Sequence, residues 1–137
     1  MKYMTSAEYM CFASDVARVR DVPTSAHKRW ELSRKEFAAS VRALFKSLGI
    51  KNISVTAPNY SMAQGIDIRL PHPQADRVPF SAPAEDHAVY AQEVQMLRET
   101  RQQVRDQLRW ILETAYPEFR DRSDVQSDYF DYKWSID

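Results

Sequence analysis

Arg98, Arg101, Arg105 and Arg109 recur at i, i+3, i+7 and i+11, a spacing that puts four guanidinium groups on one flank of a helix. Such a row could track phosphates along a nucleic-acid strand, because guanidinium forks pair with phosphate oxygens and release counterions as they do so. Glu99, Asp106 and Glu113 adjoin the row at seven-residue spacing, and Arg109 can pair with both Asp106 and Glu113. The same residues therefore also read as a solvated, salt-bridged helix flank. A second charged group is acidic: Asp121, Asp124, Asp128, Asp131 and Asp137, with Tyr129 and Tyr132 interleaved. It reads either as a polar ending that discourages edge-strand pairing or as an acidic surface for basic sites on a partner, as a nucleic-acid mimic would present.

Residue types that do covalent chemistry are sparse. Cys11 is the single cysteine and falls inside a helical pattern with no histidine nearby in sequence, so nothing local activates its thiol and no internal disulfide can form. His72 and Asp76 stand among prolines without a third ligand at metal-binding spacing. Gly49 and Gly65 are the only glycines, which excludes a glycine-rich phosphate loop. No catalytic residue, cofactor site or metal site follows, and a non-enzymatic interaction protein is expected.

These residues are positioned by elements with clear local signatures. Thr5 and Glu8 have capping-box spacing, with Met4 and Tyr9 as the flanking staple, and Tyr9, Phe12, Ala13, Val16 and Ala17 follow at helical spacing. A helix over about 6–20 results. Ser33 and Glu36, flanked by Leu32 and Phe37, repeat the signature. Phe37, Val41, Leu44, Phe45 and Leu48 then mark a helix over about 34–48 that Gly49 stops.

Ile53 and Val55, then Ile66, Ile68 and Leu70, alternate with polar residues, the period of two half-buried strands over about 51–57 and 65–70. Tyr60 and Met62 sit in the wide loop between them and are candidate partner anchors. Pro71, Pro73, Pro79 and Pro83 punctuate a linker that cannot be regular over its length.

A helical pattern then runs over about 84–116, either protruding or breaking near Arg98 to Gln103, where apolar residues thin out. Its main stripe includes Leu97, Val104, Leu108 and Ile111. Val89, Met96 and Trp110 lie on a second stripe at heptad spacing, with Gln103 in the fourth place. A two-sided helix needs two partners, one of which can be a second subunit in a homodimer. Phe130, Tyr132, Trp134 and Ile136 alternate in a final strand, about 129–136. The expectation is one α+β domain over 1–137, with a three-stranded antiparallel sheet (51–57, 65–70, 129–136) covered on one face by the helices.

Nineteen basic residues balance nineteen acidic ones, so no overall field steers the chain toward nucleic acid or anionic lipid and electrostatic function must be local. The start MKYMTSAEYM lacks a signal-peptide core, and no apolar run approaches the roughly 20 residues of a membrane span. A soluble, cytoplasmic protein without membrane association is expected.

The helix ending VRALFKSLGIKNISV, the loop, the glycine before IDIRL and the aspartate-rich approach to SDYFDY resemble a large polyvalent protein-associated domain of phage and mobile-element proteins. The resemblance implies an α+β fold and a mobile-element origin, and it brings no catalytic residues. A host protein or nucleoprotein complex is then the expected partner, inhibition of a defence system such as CRISPR or restriction the form this takes, and Tyr60, Met62, Asp124, Asp128 and Asp131 the candidate contacts. The alternative is a nucleic-acid-binding accessory protein using Arg98, Arg101, Arg105 and Arg109.

Overall fold

The computed structural model describes residues 3–25, 32–57, 65–75, 78–117 and 134–137. In chain order they form β1 (Tyr3–Thr5), α1 (Ser6–Ala17), α2 (Arg34–Ser47), β2 (Ser54–Thr56), β3 (Ile66–Arg69), β4 (His72–Gln74), α3 (Ala84–Ala115) and β5 (Trp134–Ile136). The mixed helix and strand content is that of an α+β fold.

Local chemistry sets the helix ends. At α2 the Ser33 side chain accepts from the Glu36 N–H while the Glu36 carboxylate accepts from the Ser33 N–H, a complete capping box. At its other end Gly49 takes φ +77°, where a side chain would be strained. The Gly49 N–H donates to the Lys46 carbonyl and the Ile50 N–H to the Phe45 carbonyl, the paired bonds of a Schellman motif. At α1 the box is only half made. Thr5 accepts from the Glu8 N–H, but the Glu8 carboxylate accepts from the Thr5 hydroxyl at 3.0 Å rather than from the Thr5 N–H. Thr5 is at once the N-cap of α1 and the last residue of β1.

The sheet corrects two expectations. β2 and β3 are antiparallel, with Val55 opposite Ile68, but β5 joins β3 in parallel, pairing Ile66 with Trp134 and Ile68 with Ile136. The sheet is therefore mixed, with β3 in the middle. The reason is the connection: α3 lies between β3 and β5, and a long helical crossover returns the chain to the same end of the sheet, as a parallel pair requires. The second correction lies in the proline-rich linker, where His72–Gln74 forms a strand parallel to β1, with Met4 opposite Pro73. A two-stranded sheet has only edge strands, where a residue without an N–H is tolerated. Of the expected final strand, 134–136 is strand and 129–133 lies outside the described residues.

One core joins the elements. Val55, Ile66, Ile68 and Trp134 face the same way in the sheet and are buried with Phe37, Val41 and Phe45 of α2. α2 packs over β2 and β3, and the Arg42 Nε donates to the Val55 carbonyl at 2.9 Å. α1 lies against α3, β1 and β4. Ser6 bonds Glu93 near one end of this helix pair, and Gln107 donates to the Val16 and Val19 carbonyls near the other, so α1 and α3 run side by side in the same direction.

α3 is continuous for 32 residues, about 48 Å at 1.5 Å per residue. It does not break at 98–103: Thr100 there is buried and returns its hydroxyl to the Met96 carbonyl, a bond compatible with an unbroken helix. Its buried residues begin only at Leu97. The preceding turns therefore extend along the edge of the core.

Candidate functional site

The four arginines do not share one environment. Arg98 and Arg109 are exposed, whereas Arg101 and Arg105 are half-buried. Helix geometry explains the split, since 101 and 105 fall next to the core stripe of Leu97, Val104 and Leu108 while 98 and 109 lie farther round. Arg109 reaches Asp106 at 3.9 Å, with both side chains largely in water, a weak pair. Among the described residues no carboxylate lies within ion-pair distance of Arg98, Arg101 or Arg105. Acidic side chains of the same helix are held elsewhere: Glu93 by Ser6, Glu99 by Gln95 and Asp106 by Gln102.

Tyr9 of α1 meets this charge from below. Its side chain is fully buried and no group satisfies hydrogen-bond geometry at its hydroxyl. Burial pushes the phenol above its ordinary pKa of 10.0, and the nearby Arg101 and Arg105 charges pull it part of the way back. The Nε atoms of Arg101 and Arg105 are likewise buried and without a partner. Polar groups of two helices thus converge here, with the Tyr9 phenol close enough to Arg101 for the guanidinium to favour its ionised form. The sequence showed Tyr9 only as an apolar-stripe residue, because nothing local reveals that the start of α1 lies beside the middle of α3.

On the other side of Arg101 a cavity of about 400 Å³ opens between β4 and α3. His72 and Gln74 line it from the strand, and Tyr90, Val94, Arg98 and Arg101 from the helix. Burial, and then the Arg101 charge, lower the His72 pKa from its ordinary value, so the imidazole is mostly neutral at pH 7. A second hollow, about 720 Å³, lies beside it, bordered by Ser54, Arg69, His72 and Asp137. His72 belongs to both.

The partner-binding candidates Tyr60, Met62, Asp124, Asp128 and Asp131 lie outside the described residues, as does Asp76. Cys11 is exposed on α1. Among the described residues no group of three His, Cys, Asp or Glu side chains could hold a metal ion, and no helix is long and apolar enough to cross a membrane.

The second stripe of α3 is uncovered. Val89, Met96 and Trp110 are 63%, 44% and 40% exposed. Glu99, Asp106 and Glu113, all exposed, run along one side of that stripe at the same seven-residue interval. Comparison of the chain with protein-family models, curated proteins and solved structures finds no match.

Proposed function

We propose that this chain is a non-enzymatic interaction protein that docks the outer face of α3 on a partner protein. The observation that carries the reading is the exposure of Val89, Met96 and Trp110 along a single helix face. Aromatic and methionine side chains are characteristic anchors of protein interfaces. The acidic flank of Glu99, Asp106 and Glu113 gives the partner a stated chemistry: an apolar groove rimmed by lysine or arginine. The resemblance of the segment from Ser33 to Leu70 to phage and mobile-element domains supports a host complex as that partner, and inhibition of a CRISPR or restriction system as the outcome.

The nucleic-acid alternative draws on the arginine row. Its support is weaker, because only Arg98 and Arg109 of the four are exposed and a phosphate track needs the whole row.

Affinity purification from a nuclease-treated bacterial lysate tests the reading, with Trp110→Glu and Met96→Glu beside the parent chain. The expected result is a discrete protein retained by the parent and by Arg109→Gln but lost with either glutamate. Retention by all variants overturns the docking face. Association that disappears on nuclease treatment favours nucleic acid instead. A parent chain that light scattering shows to be a dimer, and Trp110→Glu a monomer, would assign the face to a second copy.

A further inference from the structure

We propose that the cavity between β4 and α3 binds a small phosphate ester, its phosphate held by Arg98 and Arg101 and its organic part resting against Tyr90 and Val94. The site is separate from the apolar face of α3 and does not depend on it. Its volume, about 400 Å³, lies within the roughly 300 to 1,000 Å³ of small-molecule pockets.

Charge carries the assignment. Among the described residues lining the cavity there is no carboxylate, and the acidic side chains of α3 at 93, 99 and 106 are engaged by Ser6, Gln95 and Gln102. Arg101 is half-buried, and among the described residues no carboxylate lies within ion-pair distance of it or of Arg98. A guanidinium drawn partly out of water without a counter-charge is unfavourable, and an anion in the cavity supplies that charge. Arg98 and Arg101 are one turn apart on the same flank and both border the cavity, so two planar forks can share the oxygens of one tetrahedral dianion.

The rest of the lining selects what the phosphate is attached to. Val94 and Tyr90 stand about one and two turns before Arg98 on the same flank. An aromatic ring beside an aliphatic side chain fits a flat or apolar substituent of nucleoside size. Gln74 on the opposite wall adds an amide that can donate and accept. Arg109 is eleven residues beyond Arg98, about 16 Å along the helix, too far to share that ligand.

Calorimetric titration with inorganic phosphate, adenosine monophosphate and adenosine, alongside single-stranded and duplex DNA at equal phosphate concentration, provides the test. Adenosine monophosphate is expected to saturate at one per chain, with adenosine at least tenfold weaker. Arg98→Gln and Arg101→Gln should each weaken the monophosphate by roughly ten- to hundredfold, the span of a lost charge-assisted hydrogen bond. Arg109→Gln should leave it unchanged. Tyr90→Ala should weaken the monophosphate while sparing inorganic phosphate. Arg98 is exposed, so its variant keeps the test decisive should Arg101→Gln unfold. Absence of saturable binding by either phosphate compound overturns the proposal, as does equal loss with Arg98→Gln and Arg109→Gln. Tighter binding of DNA, weakened alike by substitution of each arginine, would replace the pocket with a nucleic-acid surface.

Discussion

At the scale of single residues, the unusual features are two tyrosines that the core encloses. Tyr116 is hydrogen-bonded to the Ser40 hydroxyl at 2.6 Å, and burial raises its pKa against that hydrogen bond. Tyr9 is raised by burial against the pull of Arg101 and Arg105. In both, the folded protein favours the neutral phenol, so the stability each contributes is fully present below the unfolded value of 10.0. It is lost as pH rises through the elevated folded value, because the unfolded chain ionises first. An ultraviolet absorbance titration should therefore show Tyr9 and Tyr116 ionising late, one late component removed by Tyr9→Phe and another by Tyr116→Phe. If neither substitution changes the late part of the curve, the burial argument fails. Neither environment was legible in the sequence. Tyr9 sits on an apolar stripe and Tyr116 just past the end of α3, and their partners come from elements distant along the chain.

At the scale of elements, legibility follows the range of the interaction. The Ser33 to Glu36 capping box and the Gly49 stop were readable because all the groups involved lie within a few residues of one another. Short strands were not. Tyr3–Thr5 and His72–Gln74 have three residues each, too few for a period to appear, and one carries a proline. Their pairing is visible only once α1 is placed beside α3. The direction of β5 was also hidden, since alternation reports which face is buried and says nothing of which way the strand runs. Gly49 gives a measurable consequence of the readable part. A Cβ there would meet nothing within 4 Å, so Gly49→Ala tests backbone strain alone. It should lower stability by about 1 to 2 kcal/mol in denaturant unfolding, with an unchanged dependence on denaturant concentration. No loss would mean that the positive φ is not maintained in solution.

For the whole molecule, Phe37 is the junction of three parts of the fold. Its ring stands edge-on to Tyr116 at 5.0 Å and 6.5 Å from Trp134, which ties α2 to the residue following α3 and to β5. Phe37→Ala should cost about 3 to 5 kcal/mol, a large fraction of the roughly 5 to 15 kcal/mol that holds a domain together. The loss should be less than additive with Trp134→Ala, because the two share a contact. Full additivity in thermal or denaturant unfolding would separate the parts that the core unites geometrically. The parallel pairing of β3 with β5 also has a consequence for the order in which the chain acquires its structure. During synthesis β3 emerges with β2 already available, yet its other edge stays open until residues 134–136 have been made, after the whole of α3. The Leu70 N–H and the Ile68 carbonyl, both bonded to Asp137 in the finished fold, must wait equally long. A nascent chain paused between α3 and β5 therefore displays an unpaired strand edge, a state in which a chaperone or a neighbouring nascent copy can compete with correct folding.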